Sequence, residues 1–123
     1  MNKTMLVPNG VIFFFDDNHT DVIIPMHDDG YVVDANDSSV SVFTKIDVDG
    51  EVFIELANKI PGSKKENLQH VFDGLIDAPG RKVAMFTSVE DVIMEVDVAD
   101  TKAKLSVWVD DLDSPNVVLV EAT

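Results

Sequence analysis

Val92-Ile93-Met94-Glu95-Val96-Asp97-Val98 and Ala103-Lys104-Leu105-Ser106-Val107-Trp108-Val109-Asp110 decide the fold class. In the first, Val92, Met94, Val96 and Val98 alternate with Glu95 and Asp97. In the second, Ala103, Leu105, Val107 and Val109 alternate with Lys104, Ser106 and Asp110. Successive strand residues point to opposite faces, so a period of two means a strand with one face buried and the other wet. Asp100-Thr101 between them reads as a hairpin tip.

The same signal extends in both directions. Val117 to Val120 supplies a strand after the Ser114-Pro115-Asn116 turn, and Glu51 to Ala57 alternates Val52, Ile54 and Leu56 with Glu51, Phe53 and Glu55. Val11 to Phe15, Val22 to Ile24, Tyr31 to Val33 and Val40 to Ile46 are short branched and aromatic runs bounded by Asp, Asn, Gly or Pro. Asp28-Asp29-Gly30 and Asp47-Val48-Asp49-Gly50 read as hairpin turns with antiparallel strands on either side. Between Asn58 and Gly80 the pattern changes. Leu68, Val71, Phe72, Leu75 and Ile76 have the spacing of a helical face, which places a short helix around residues 64–76, with a strand from Gln69 to Ile76 as the rival reading and Gly74 weighing against the helix. The expected fold is mainly β: one antiparallel β-sandwich of nine or ten strands over residues 1–123, with at most one helix laid over an edge.

The chain has 123 residues, 46% of them apolar, enough for one core; disorder and a second domain are not expected. It has no Cys, which excludes disulfides, thiolate metal sites and a Cys nucleophile. Neither a signal-type apolar run nor a segment of about 20 apolar residues occurs, so a cytoplasmic location is the expectation. Twenty-three acids against nine bases give a net charge of −14, which repels nucleic acid and anionic lipid and favours a basic partner. The charge is segregated. Met1 to Glu55 and Glu90 to Thr123 carry most of the acid, whereas Lys59, Lys64, Lys65, Arg81 and Lys82 form a mildly basic island between them.

The acids gather in three clusters at strand ends: Asp16, Asp17 and Asp21; Asp28 and Asp29 with Asp34 and Asp37; and Asp110, Asp111 and Asp113. Loops that meet at one end of a sandwich would bring such clusters together as a partner-binding acidic patch able to occupy a phosphate-binding groove. Turn chemistry alone also selects Asp at these places, because its side chain bonds to nearby backbone.

Other chemistry finds little support. Asp47 to Glu51 has the composition of a calcium loop, but with Gly50 at the loop glycine the first and last ligands would be Lys45 and Leu56, which cannot bind calcium. His19 between Asp17 and Asp21, and His27 beside Asp28, lack the fixed spacing of a metal site, and His70 reads as partly exposed. No serine has nucleophile-elbow context, no Gly-rich phosphate loop is present, and nothing singles out a catalytic pair among the acids. No cofactor is implied. Phe14 must face away from Phe13 and Phe15, and Trp108, opposite in phase to Leu105, Val107 and Val109, belongs on the outer face or under the helix. Tyr31 and Trp108 are the candidate aromatic contacts for a small ligand or carbohydrate.

Gly30-Tyr31-Val32-Val33-Asp34-Ala35, Val40 to Phe43 and Val52-Phe53-Ile54-Glu55-Leu56 are followed by Val92 to Asp97, a turn, the Trp-bearing Leu105 to Val109 and the closing Val117 to Ala122. This strand order resembles the family of the competence-associated inhibitor of the DNA-entry nuclease (ComJ). The resemblance implies a small acidic protein that blocks a nuclease by binding it, as immunity-type proteins neutralise toxins. The reading that follows is an acidic inhibitor or immunity-type protein that blocks the nucleic-acid groove of a basic partner such as a nuclease or toxin. A β-sandwich module for a small ligand or carbohydrate is the alternative, and an acid-pair hydrolase the third. Edge strands also leave room for a homodimer.

Overall fold

The computed structural model describes residues 1–24, 31–89 and 92–123. Among the described residues ten strands form two sheets packed face to face: β1 (Asn2–Met5), β2 (Val11–Phe15), β3 (Val33–Ala35), β4 (Val40–Phe43), β5 (Val52–Ala57), β6 (Gln69–Asp77), β7 (Lys82–Thr87), β8 (Met94–Asp97), β9 (Lys102–Val109) and β10 (Val117–Ala122). One sheet has the order β1-β5-β10-β9-β6 and the other β3-β4-β2-β7-β8. The alternation read from sequence sets the core. Ile12 and Phe14, Val40 and Val42, Val52, Ile54 and Leu56, Leu105, Val107 and Val109, and Val118 and Val120 are fully buried between the sheets. Phe13 and Phe15 face outward as expected, and Phe15 stacks on Phe86 with ring centroids 4.0 Å apart.

Four local expectations change, and one is the strand expected at Val22 to Ile24, where the chain forms no strand. Asp47–Asp49 is one turn of 3-10 helix, closed by Asp49 N–H to the Ile46 carbonyl (3.0 Å) and Gly50 N–H to that of Asp47 (3.2 Å), and it carries the chain from β4 in one sheet to β5 in the other. Asp100-Thr101 likewise joins β8 to β9 across the sandwich. Neither is a hairpin tip: a polar turn between two alternating strands looks the same in sequence whether the strands pair or change sheets. Because the chain changes sheets, β10 ends up beside β5 with both running the same way, Val117 opposite Phe53 and Glu121 opposite Ala57, the one parallel pairing among otherwise antiparallel ladders of the described residues. The hairpin turn expected at Asp28-Asp29-Gly30 lies outside the described residues.

Residues 69–77 are strand, and helix α1 is the single turn Gly62–Lys65. The helical spacing comes from a bulge between His70 and Phe72, where one extra residue breaks the register with β9. Two consecutive residues, Val71 and Phe72, thereby pack against the core, while Leu75 on the other face is 61% exposed. Gly74 leaves room for the Phe72 ring there, because a Cβ would lie 2.5 Å from its Cζ and the ring would have to shift.

Candidate protein-binding surface

The strand directions give the sandwich two ends, each a ring of connections tied by backbone hydrogen bonds. At one end, Thr44 N–H donates to the Gly10 carbonyl (2.8 Å), Lys45 to Pro115 (3.0 Å) and Phe53 to Asn116 (2.8 Å), knitting together connections 6–10, 44–51 and 110–116. At the other, Asp77 N–H donates to Asp37 (2.7 Å), Ala78 to Thr101 (2.7 Å) and Val98 to Arg81 (2.9 Å), joining connections 36–39, 78–81 and 98–101. The Asp16-Asp17-Asp21 cluster belongs to the second end and the Asp110-Asp111-Asp113 cluster to the first. The structure does not merge them into one patch, and Asp28, Asp29 and His27 lie outside the described residues.

The first end is the more acidic. Asp47, Asp49, Glu51, Asp111 and Asp113 are exposed there and Asp110 is half-buried, with Lys45 as the nearby base. Turn chemistry and surface charge coexist in the same residues. Oδ1 of Asp110 accepts from the N–H groups of Asn116 (2.9 Å) and Val117 (3.0 Å), and Oδ1 of Asp111 from those of Asp113 (2.8 Å) and Ser114 (3.3 Å). One oxygen of each fixes the backbone, and the negative charge remains at the surface. Val48 N–H is held by Oδ1 of Asp47 (3.0 Å), and the Val48 side chain stands 81% exposed between two aspartates. With Ile46 and Leu112 also exposed, apolar groups sit within the acid, a composition found in protein interfaces. These aliphatic residues were not singled out from the sequence, where a Val in a turn carries no signal of exposure.

The second end is mixed. Asp16 is fully buried, its Oδ1 accepting from Asn18 N–H (2.9 Å) and its Oδ2 from Gly80 N–H, so it fastens two connections together and offers nothing to a partner. This corrects its place in the acidic patch. Asp17 is exposed, and Asp21 shares a cleft of about 420 Å³ with His19, Asp37 and Asp77. Among the described residues no group of His, Asp or Glu is arranged to hold a metal ion. Asp77 pairs with Lys102, whose hydrogen bond holds the carboxyl below its usual pKa and raises that of the ammonium. Exposed Arg81 adds further positive charge.

The outer face of the β1–β6 sheet uses its charges internally. Lys64 pairs with Glu55 (3.1 Å) and Lys65 with Glu121 (2.7 Å), so much of the basic island folds back onto the chain's own acids. Burial works against the Glu121 carboxylate, but Lys65 and the Ile60 N–H (2.7 Å) outweigh it and hold its pKa below the ordinary value. Trp108 lies on this face as expected, stacked on His70 (4.7 Å between centroids) and covered by the Lys65 ammonium, 4.1 Å from the ring centroid. Ser106 donates to Asp73 and is the main cause of that carboxyl's lowered pKa. Among the described residues Asp73, Asp77 and Glu121 are the carboxyls with shifted pKa values, and all three are lowered. Tyr31 leads into β3 of the opposite sheet, so it and Trp108 do not share a ligand site; it lines a cleft with Leu112 and Asp113 instead.

Among solved structures, this one superposes on the crystal structure of ComJ from Bacillus subtilis with a TM-score of 0.69, covering 99% of this chain and 93% of that one at 12% sequence identity. The chain has the fold of ComJ. That protein is described as an inhibitor of the DNA-degrading activity of NucA. The strand order read from sequence therefore identified a shared architecture. No family model matches the sequence, and no curated protein is significantly similar to it.

Proposed function

We propose that this chain is an inhibitor that binds a basic nuclease and covers its nucleic-acid groove with the end formed by connections 44–51 and 110–116. One observation carries the reading: Asp47, Asp49, Glu51, Asp111 and Asp113 stand exposed at that end, and none joins an ion pair with a described residue. Elsewhere Glu55, Glu95, Glu121 and Asp77 each have a lysine, and exposed Asp17, Asp21, Asp37, Asp97 and Asp100, which have none, stand at the opposite end, where Arg81 and Lys102 offset part of their charge. The Asp47 and Asp111 carboxylates are held by their own turns and so preorganised, which lowers the ordering required when lysines and arginines of a groove meet them. Their charge speeds the encounter, and the bound inhibitor repels incoming DNA. The fold shared with ComJ supports the same role.

The test is DNA degradation by NucA, and by nuclease activity from the cells that make this chain, with increasing amounts of the protein. Inhibition that saturates near one inhibitor per nuclease is expected. Reversing Asp47, Asp49, Asp111 and Asp113 to lysine should slow association at least about tenfold and flatten its salt dependence. Undiminished DNA degradation by both nuclease sources at large excess of the protein overturns the reading, as does full inhibition by the charge-reversed protein.

A further inference from the structure

Strand β6 is a border of its sheet, and at nine residues it is the longest of the four border strands β1, β3, β6 and β8. The bulge disturbs its first half, but Asp73 to Asp77 pairs with β9 in unbroken register. Asp77 N–H turns away from β9 to donate to the Asp37 carbonyl (2.7 Å), and the Lys104 carbonyl, opposite Leu75, turns away from β6 to accept from Thr123 N–H (3.0 Å). Pairs in an antiparallel ladder alternate between bonded and non-bonded, so the N–H and C=O groups of Asp73 and Leu75 point outward, where no described residue meets them. The Leu75 side chain stands exposed beside them, and Phe72 is only partly buried. An open edge of this kind is a template for another strand, and Asp73 to Asp77 contains neither the proline nor the lysine that commonly guards one.

We propose that a second copy of this chain pairs at this edge, the two β6 strands antiparallel about a twofold axis at Gly74. Asp73 lies opposite Leu75 of the partner subunit and the two exchange both main-chain hydrogen bonds, as does the symmetric pair. Gly74 adds no side chain at the axis, where the backbones come closest. On the inner face Phe72 meets Ile76 of the partner subunit and gains cover. On the outer face Lys104, which has no ion pair with a described residue, reaches across Leu75 toward Asp73 of the partner subunit. Charge favours a second copy over a basic partner. Lys102 and Lys104 balance Asp73 and Asp77, so the edge is neutral in a chain of net charge −14 and offers a cation nothing to select. The antiparallel join also sends the acidic ends apart: β6 runs from Gln69, opposite Val109 at the acidic end, to Asp77 at the other, so exposed Asp47, Asp49, Asp111 and Asp113 of the two copies point in opposite directions.

Sedimentation velocity of the full chain over a dilution series should show monomer and dimer in exchange, the dimer gaining as salt rises because screening relieves the repulsion between two acidic chains. Nuclease binding through the acidic end has the opposite salt dependence, so the sign separates the two interactions. Leu75→Pro removes an N–H that β9 does not use, which an edge strand tolerates, and takes one hydrogen bond from each copy; self-association should weaken about tenfold or more. Leu75→Lys keeps that N–H, sets two like charges near the axis and should weaken the dimer as well, which keeps the test intact if circular dichroism shows the proline variant unfolded. The chain has no Cys, so Asp73→Cys combined with Leu75→Cys places its only thiols opposite each other across the join, and oxidation should give a covalent dimer on a non-reducing gel. A chain that stays monomeric throughout the series, a dimer that loosens as salt rises or is unchanged by both Leu75 substitutions, or thiols that give no covalent dimer would overturn the pairing.

Discussion

Asp16→Ala should destabilise the fold strongly while Asp17→Ala, one residue away, should be almost silent. Asp16 is fully buried, and its two oxygens accept the N–H groups of Asn18 and Gly80, joining connections that are distant in sequence. Removing the carboxylate leaves both donors without their acceptor. A hydrogen bond to a charged group is worth at least about 1.5 kcal/mol, so the pair amounts to roughly 3 kcal/mol. For a domain of this size that lowers Tm by about 12 °C. Asp16→Asn keeps one acceptor oxygen and should lose about half as much. Urea unfolding followed by Trp108 fluorescence gives ΔG, and its slope against denaturant should stay constant if only native stability has changed. A loss below about 0.5 kcal/mol for Asp16→Ala, or equal losses at Asp16 and Asp17, would refute the argument that burial separates them. The folded Asp16→Asn protein should inhibit a target nuclease as wild type does, since the residue never reaches the surface.

Glu121→Gln gives a pH-dependent difference. The folded pKa of Glu121 lies below its ordinary 4.5, so its ionised form stabilises the fold above that value and the contribution is lost as pH falls through the folded pKa. The stability gap between wild type and variant should be constant near pH 7 and close on acidification below about 4.5, read by urea unfolding at a series of pH values; a gap that widens with acid would contradict the sign. Gly74→Ala places a Cβ against the Phe72 ring and should cost about 1–3 kcal/mol, measured by thermal unfolding. The cost should shrink in a Phe72→Val background, and equal costs in both would show that the ring is not the obstacle.

Strand content was legible because each strand buries one face, and the alternation at 92–98 and 103–109 records that directly. Which strands pair was not, because that depends on whether Asp47–Asp49 and Asp100-Thr101 fold back or cross over, and both outcomes use the same polar residues. At residues 68–76 the bulge at Val71 converted a two-residue period into an apparent helical one. The acid clusters were visible, but their distribution between opposite ends follows from strand direction, which single-strand patterns do not encode. Asp16 and Asp17 are chemically identical neighbours that only tertiary structure tells apart. The pairing of Lys64 and Lys65 with Glu55 and Glu121 could have been suspected, since both glutamates occupy outward positions on their strands.

Strand β10 lies between β5 and β9, at the centre of its sheet. Until Val117–Ala122 is in place, β1 and β5 have nothing to join them to β9 and β6, and the apolar faces of both halves wait uncovered. Folding of this sheet therefore depends on contacts far apart in sequence, with slow assembly and a window for aggregation before β10 docks. A chain cut before Val117 would lose the middle of the sheet, so a prematurely terminated product should be a substrate for proteolysis instead of a weaker version of the whole.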